Sequence, residues 1–369
     1  MRRQEKRREV PNCTAMPNQS RPSLSTISLL LALVLLVAGL AVPAGADPHD
    51  DDGNPCTDDV DTASVHSVEV EGVPATGVVA FPDTDPSALV VFAHGYGHTS
   101  ASWVDHARRT ADQLGAAAVA MDYRGTEDVD GTVRGWWVAE GAADLIAAAR
   151  DLEARCGGFD TIVLFGVSMG GNASGLAVAA QPTRNDGSTP LFDWWFNLEG
   201  ATNVIETYQG ARVLAPANTF AANARADIEA EMGGTFEEVP EVYAEHAVVN
   251  RVDDIAASGV KGVYMAHAAE DGLVPINQSI ELDALLTEAG VPSILDVFTT
   301  RDGGEGGTTL SGYSGQDVSP LAGHATETST THVVMRAGLD RLAELLEEDA
   351  PLCQGRRLHA GPVTARLGC

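Results

Sequence analysis

Ser168 lies in the segment of the sequence with the clearest chemical signal. Residues 166–171 read Gly-Val-Ser-Met-Gly-Gly, after the apolar run 161–165 and before the helix-like stretch 170–180. Small residues on both sides of a serine allow a sharp strand-to-helix turn that exposes the hydroxyl above the edge of a sheet. The motif also occurs by chance in glycine-rich chains as a plain turn. Its position between a predicted strand and a predicted helix is what predicts Ser168 as a nucleophile.

A serine hydroxyl is a weak nucleophile, and it needs a base that a carboxylate orients. With this type of turn, the acid and then the histidine follow the serine along the chain. Asp271 comes just after the predicted strand 263–266, and we predict that it is the acid. The alternatives are Glu270 beside it and Glu199, which follows the preceding strand.

His324 is the predicted base. It lies in a glycine-flanked segment between the last predicted strand of the domain and its final helix. His332 is the alternative, but we expect it to fall inside the final helix, predicted over 327–348. A histidine at such a position more often packs against its neighbours than it catalyses.

Backbone N–H groups must stabilise the oxyanion that forms when a serine attacks a carbonyl group. Met169, directly after the serine, is predicted to supply one of them, and Tyr96 the other. Gly95 allows the backbone before Tyr96 to turn toward the substrate, and His94 is expected to support this loop. Such a site needs no metal and no organic cofactor, and we predict none.

Alternating strands and helices must bring these residues together. Apolar runs predict strands over 65–70, 73–81, 88–93, 116–121, 161–165, 192–198, 263–266 and 294–298. Helices are predicted over 102–114, 136–155, 170–180, 276–289 and 327–348. This alternation predicts an α/β domain over residues 64–348, with a mostly parallel central sheet and helices on both faces.

Residues 201–256 interrupt the alternation with polar helical segments, and we predict a cap over the site. Its larger aromatic side chains either line a substrate pocket or form the core of the cap itself; they are Tyr208, Phe220, Phe236 and Tyr243.

The order of these motifs resembles the α/β-hydrolase superfamily. The resemblance rests on four segments: His94-Gly95-Tyr96-Gly97, the turn 166–171, Asp271-Gly272-Leu273-Val274-Pro275 and Gly323-His324. It covers about residues 64–348 and is nearest to single-domain esterases and peptidases similar to prolyl oligopeptidase and dienelactone hydrolase. It implies the α/β-hydrolase fold with a Ser-Asp-His triad and a cap insertion. The chain departs from it at Val167, where many relatives have His, and in the long loop 301–323.

Residues 1–46 have the features of a secretory signal peptide. Six basic side chains precede the apolar run 27–42, and the small residues Ala44 and Ala46 suit cleavage after position 46. We therefore expect an extracellular protein, and an uncleaved membrane anchor is the alternative. An acidic linker over 47–63 and a tail over 349–369 flank the catalytic domain.

Four cysteines follow the expected cleavage site, and an even number in an exported chain predicts two disulfides. Three pairings are possible. The simplest joins Cys56 to Cys156 and closes the tail with Cys353 and Cys369; free buried thiols are the alternative.

Cleavage after position 46 removes six basic and two acidic side chains, which leaves 17 basic and 50 acidic ones. So acidic a surface repels nucleic acid and anionic membranes, and we expect no nucleic-acid partner and no stable membrane association. Its charges also predict tolerance of salt, or dependence on it.

The sequence favours hydrolysis of carboxylic esters, small or polymeric, through an acyl-enzyme. A peptidase with the same residues is the alternative, but peptidases of the oligopeptidase branch usually carry an extra domain. We expect no room for one in the roughly 17 residues between the cleavage site and the first strand. A non-catalytic binding protein on the same fold is a further alternative, against which the complete Ser, Asp, His order argues.

Overall fold

In the part of the chain that the structure describes, ten strands form one sheet whose middle is parallel and whose edges are antiparallel. The computed structural model describes residues 56–57, 63–299, 323–329, 332–348, 355–360 and 363–367. The strands of this part of the chain are β1 (Ser64–Val70), β2 (Val73–Ala80), β3 (Ala88–Ala93), β4 (Ala117–Met121), β5 (Glu127–Val129), β6 (Thr132–Arg134), β7 (Thr161–Val167), β8 (Trp194–Leu198), β9 (Gly262–Ala268), β10 (Ser293–Phe298), β11 (Gly355–Ala360) and β12 (Val363–Leu367).

The helices lie between these strands or in the cap. They are α1 (Val104–Leu114), α2 (Val138–Arg155), α3 (Met169–Ala179), α4 (Val204–Leu214), α5 (Thr219–Met232), α6 (Pro240–His246), α7 (Val252–Ala257), α8 (Asn277–Glu288) and α9 (Val333–Glu348). None of the described helices is long and apolar enough to cross a membrane.

The strand order in the sheet is β1-β2-β4-β3-β7-β8-β9-β10-β11-β12. From β4 to β11 all neighbours are parallel, while β1, β2 and β12 pair antiparallel. Parallel strands are joined by crossovers, so helices cover both faces of the sheet. The predicted α/β fold with a mostly parallel sheet is confirmed.

Two apolar layers lie on the two faces of the sheet. Along β3, Leu89 and Val91 face the layer that contains α2 and α3, while Val90 and Phe92 face the layer that contains α1 and α9. Successive side chains of a strand point to opposite faces, so a strand buried on both sides must be apolar throughout. This explains why the predicted central strands read as uninterrupted apolar runs.

Helices α4–α7 lie in residues 201–256, the segment that was predicted to form a cap, and α7 ends one residue beyond it. We call this segment the cap. Side-chain caps define where two of them begin: Asn203 accepts from the N–H of Glu206 before α4, and Asn218 from the N–H of Ala221 before α5. Gly233 ends α5 with φ of 79°, a left-handed conformation that favours glycine.

Some elements differ from the predicted ones. Helix α9 begins at Val333 rather than near Glu327, because residues 323–329 are turns and irregular backbone. The β5–β6 hairpin and the strands β11 and β12, which lie in the predicted tail, had no counterpart in the sequence prediction. The predicted loop 301–323 lies outside the described residues up to position 322, as do the predicted signal peptide and nearly all of the predicted acidic linker.

Cys56 and Cys156 form a disulfide with Cα atoms 5.4 Å apart. It joins the segment before β1 to the end of α2 and is one of the two pairings predicted. Cys353 and Cys369, the other predicted pair, lie outside the described residues.

Candidate active site

The turn between β7 and α3 places Ser168 at the edge of the sheet where the parallel strands have their carboxyl ends. The serine has φ of 57° and ψ of −124°, a conformation that non-glycine residues rarely adopt and that is concentrated at functional sites. A β-carbon at Gly166 would lie 2.3 Å from the carbonyl oxygen of Gly170, and one at Gly170 would lie 2.1 Å from that of Ala93. Both positions therefore require glycine, and together they permit the sharp turn.

Asp271 and His324 form a buried hydrogen-bonded pair. Nδ1 of His324 lies 2.7 Å from Oδ2 of Asp271. The other oxygen of Asp271 accepts from the N–H groups of Leu273 (2.8 Å) and Val274 (3.0 Å), which fixes the orientation of the carboxylate. The structure thus brings together the acid and the base that the sequence predicted.

His267 gives the Asp271 carboxylate further support. Its Nε2 lies 3.4 Å from Oδ2 of Asp271 and 2.8 Å from the carbonyl oxygen of Val274, and its Nδ1 lies 2.7 Å from Oγ of Ser279. These partners fit a ring that donates from Nε2 and accepts at Nδ1. Sequence reasoning missed this residue, since a histidine at a strand end carries no signal of its partner.

Glu199, the alternative acid, also reaches the base. Its Oε2 lies 3.5 Å from Nδ1 of His324 and accepts from the N–H of Ala325, while Oε1 accepts from the N–H of Ala268 at 3.0 Å. It is fully buried and has φ of 48°. The shorter, better-supported contact makes Asp271 the partner of His324, and Glu199 joins the chain segments that carry both residues.

These buried charges shift the ionisation of the pair. Burial favours a neutral imidazole, but the carboxylates of Asp271, Glu199 and Glu327 outweigh it and raise the pKa of His324 to about 9. Burial opposes ionisation of Asp271 as well, yet His324 and His267 hold the pKa of that carboxyl well below its usual range. Burial and the Asp271 charge raise the pKa of Glu199.

The predicted oxyanion donors lie on either side of Ser168. Met169 is the first residue of α3, and N–H groups of a first helical turn have no acceptor within the helix. Gly95 precedes Tyr96, and a β-carbon at Gly95 would lie 3.3 Å from Cβ of Ser168. The loop after β3 therefore passes directly beside the serine.

The Tyr96 hydroxyl points toward the cap and is engaged there. It donates to Oδ2 of Asp227 on α5 at 2.6 Å, and Arg134 of β6 binds both oxygens of Asp227 at 2.8 and 2.6 Å. Phe220 packs edge-on against the Tyr96 ring, with centroids 5.3 Å apart. This network joins the cap, the β5–β6 hairpin and the loop beside Ser168, and it leaves the Tyr96 backbone N–H as the group that could serve the oxyanion.

The remaining cap aromatics form the core of the cap. Tyr208 and Tyr243 have ring centroids 5.0 Å apart, and Phe236 lies 5.6 Å from Tyr243. Phe220 is the exception, because it packs against Tyr96. Three of the four aromatic residues therefore form an internal core of the cap, and only Phe220 lies where it contacts the loop beside Ser168.

Two other histidines have predicted roles, His332 as the alternative base and His94 as support for its loop. His332 lies one residue before α9, not inside it, and its Nδ1 accepts from the N–H of Val334 at 3.3 Å. His94 stacks on Tyr123 with centroids 3.9 Å apart, and the Tyr123 hydroxyl donates to the His94 carbonyl. His94 thus supports its loop, as expected.

The site could in principle hold a cation, since Glu199, Asp271 and His324 offer ligand atoms within 4.8 Å of one another. Their hydrogen bonds argue for another use. Nδ1 of His324 and Oδ2 of Asp271 bond to each other, and both oxygens of Glu199 accept backbone N–H groups. A cation at this position would have to replace these bonds.

The arrangement of strand, serine turn, acid and histidine agrees with a comparison to known families. The sequence model of the alpha/beta hydrolase family matches residues 90–346. The chain is an α/β hydrolase. The match includes every residue of the candidate site, from Tyr96 to His324. No curated protein sequence matches the chain.

Solved structures resemble this α/β hydrolase at low sequence identity. An acylaminoacyl peptidase from Pyrococcus horikoshii is 14% identical with a TM-score of 0.52, over 79% of this chain and 42% of that one. A puromycin-hydrolyzing peptidase from Mycobacterium tuberculosis is 16% identical with a TM-score of 0.51, over 80% and 41%. The chain spans less than half the length of these proteins, and the likeness supports the fold.

Proposed function

We propose that this α/β hydrolase cleaves carboxylic esters through an acyl-enzyme formed on Ser168. The observation that carries the proposal is the 2.7 Å hydrogen bond between His324 and Asp271, at the sheet edge where Ser168 occupies its strained turn. A serine, a carboxylate and a histidine, which follow one another in this order along the chain, are the groups that acyl transfer uses on this fold.

In the proposed reaction His324 accepts the hydroxyl proton as Oγ of Ser168 attacks the ester carbonyl carbon. The oxyanion of the tetrahedral intermediate accepts from the backbone N–H groups of Tyr96 and Met169. His324 returns the proton to the departing alkoxide, and the carbon–oxygen bond breaks to leave the acyl-enzyme. Water then attacks the acyl carbon as His324 takes its proton, the bond from that carbon to Oγ of Ser168 breaks, and His324 returns the proton to Oγ as the carboxylic acid leaves. Asp271 holds the imidazole in the required tautomer and stabilises its charged form.

Peptide hydrolysis with the same residues is the second candidate, and the peptidases among the structural relatives favour it. An alkoxide leaves a tetrahedral intermediate more readily than an amine, which must be protonated as it departs. A triad that cleaves amides therefore also cleaves activated esters, whereas the reverse does not follow. Ester hydrolysis is thus the least demanding activity that the site supports.

The two candidates can be separated with matched substrates. Purified enzyme would be assayed on p-nitrophenyl esters and on p-nitroanilides that carry the same acyl groups, with Ser168→Ala as the blank. The proposal predicts ester turnover and little or no anilide turnover. Comparable kcat/KM on both series would favour the peptidase.

We also propose that the protein is exported, on the evidence of residues 1–46 and of the Cys56–Cys156 disulfide, a bond typical of oxidising compartments. Fractionation of cells that express the whole chain tests this proposal. Recovery of active protein from the medium with a new N-terminus at Asp47 is expected, and full-length protein in the cell interior would contradict it.

A further inference from the structure

The side chain of Glu327 lies buried between the loop that carries the base and the loop that carries an oxyanion donor. Its exposed fraction is 1%. Oε1 accepts from the backbone N–H of Gly95, and Oε2 lies 3.6 Å from Nε2 of His98. Glu327 follows His324 by three residues, so a single short segment reaches both Asp271 and the Gly95–Tyr96 peptide.

Both polar backbone groups of Gly95 are engaged. Its N–H donates to Glu327, and its carbonyl oxygen accepts from the N–H of His98 at 3.3 Å and lies 3.0 Å from Nδ1 of His94. The peptide bond to Tyr96 is trans, so its N–H points opposite to that carbonyl group. The direction of the Tyr96 N–H is therefore set by how Gly95 is held.

Space at this point is also restricted. A β-carbon on Gly95 would lie 2.8 Å from Oε1 of Glu327 and 3.3 Å from Cβ of Ser168. Gly95 thus fills the gap between the serine and the carboxylate. A small shift of the Glu327 side chain would let Gly95 move relative to Ser168.

We propose that Glu327 is a positioning residue of the oxyanion hole, which it holds by accepting from the Gly95 N–H so that the Tyr96 N–H faces the carbonyl oxygen bound at Ser168. This inference rests on the proposed acyl transfer. One short segment bears both His324 and Glu327. The contact of Glu327 with Gly95 therefore fixes the distance between the loop of the base and the loop of the oxyanion donor. Preorganised donors act on the transition state, so loss of the contact lowers kcat and leaves KM unchanged.

Glu327 also carries charge near His324, and two conservative variants separate that effect from positioning. Glu327→Gln keeps an acceptor at the same reach and removes the charge. Glu327→Asp keeps the charge and loses the reach. Glu347→Asp, at an exposed position on α9, is the matched control. Wild type would first be shown to hydrolyse a p-nitrophenyl ester and to react with a fluorophosphonate; failure there would contradict the proposed function instead.

The steady-state constants of the three variants would then be measured across pH. We expect kcat of Glu327→Asp to fall about 10- to 100-fold, less than the roughly 100- to 1000-fold loss on removal of an oxyanion donor, because the Tyr96 N–H is displaced and not removed, with KM within about twofold of wild type. Glu327→Gln should keep kcat within about threefold at pH values where the base is neutral. Its pH–rate midpoint should move down, because a carboxylate near His324 is gone.

A second measurement distinguishes a displaced oxyanion donor from a loss of folded enzyme, because an inhibition constant does not depend on how much of the enzyme is folded. An alkyl boronic acid forms a tetrahedral adduct on an active serine, and its inhibition constant should weaken in Glu327→Asp by about the factor lost in kcat. Impaired Glu327→Gln with intact Glu327→Asp would overturn the proposal in favour of a purely electrostatic role. Wild-type kcat and boronate affinity in both variants would also overturn it.

Discussion

Nδ1 of His324 lies 2.7 Å from Oδ2 of Asp271, although the two residues belong to segments 53 positions apart. Glu199 approaches the same nitrogen at 3.5 Å from the neighbouring strand end. One imidazole therefore has two buried carboxylates within reach. We assign orientation of the base to Asp271, and to Glu199 the role of joining the His324 loop to the sheet.

Asp271→Asn should lower kcat about 10⁴-fold, because the amide favours the wrong imidazole tautomer. Glu199→Gln should lower kcat far less, while it destabilises the fold, since one amide NH₂ group would face a backbone N–H of Ala268 or Ala325. Steady-state rates and thermal melts of both variants check this. A larger rate loss in Glu199→Gln than in Asp271→Asn would exchange the two roles.

Activity should keep rising with pH up to about pH 9, because the pKa of the base is raised. The base acts as neutral imidazole, and its pKa is raised to about 9, so kcat/KM should climb as pH passes through that value. A raised pKa of a histidine adds stability that is complete below about 6.5, its unfolded value, and is lost toward pH 9. Rates and thermal midpoints measured from pH 6 to 10 should therefore move in opposite directions. A kcat/KM plateau by pH 7 would contradict the assigned environment.

Asp227→Ala should loosen the cap. The carboxylate accepts from Arg134, from the Tyr96 hydroxyl and from the N–H of Gly135, and its side chain is 11% exposed. Its loss should cost about 2 kcal/mol, as for a partly buried charge pair, and lower the thermal midpoint by several degrees. Asp83→Ala, in an exposed turn, is the control and should melt like wild type. Equal melting of both variants would show that the network does not hold the cap.

The local parts of the site were predictable from sequence, and the long-range parts were not. A β-carbon at Gly166 would meet Gly170 within the same turn, so this glycine has a local steric reason, whereas Gly170 is restricted by the distant Ala93. The order of acid and base along the chain located Asp271 and His324. Glu327, by contrast, bonds to a residue 232 positions away, and no local pattern marks such a contact.

The fold shows the same division. Central strands such as β3 and β7 are buried on both faces, and this leaves apolar runs that are easy to recognise. Strand β11 carries Arg356 and Arg357, and it was missed because a partly exposed edge region needs no apolar run. The β5–β6 hairpin had a visible turn signal, Asp130-Gly131, but its strands of three residues have too little pattern to predict.

Salt should stabilise the protein. With 52 acidic and 23 basic side chains in the whole chain, the like charges repel one another in the folded state. Screening shortens that repulsion to about 3 Å at 1 M salt, compared with about 30 Å at 0.01 M. The thermal midpoint should therefore rise between dilute buffer and about 1 M sodium chloride. A flat or falling midpoint would mean that the composition has little effect on stability.

Covalent labelling is the direct test of Ser168 as the nucleophile. The enzyme would be treated with a fluorophosphonate, digested, and the modified peptide sequenced by mass spectrometry, with Ser168→Ala and Ser174→Ala as matched variants. We expect one adduct, on Ser168, both in wild type and in Ser174→Ala, and labelling should abolish ester turnover in both. Ser168→Ala should fold, take no label and turn over no ester. An adduct on another serine, or full turnover by Ser168→Ala, would contradict the account.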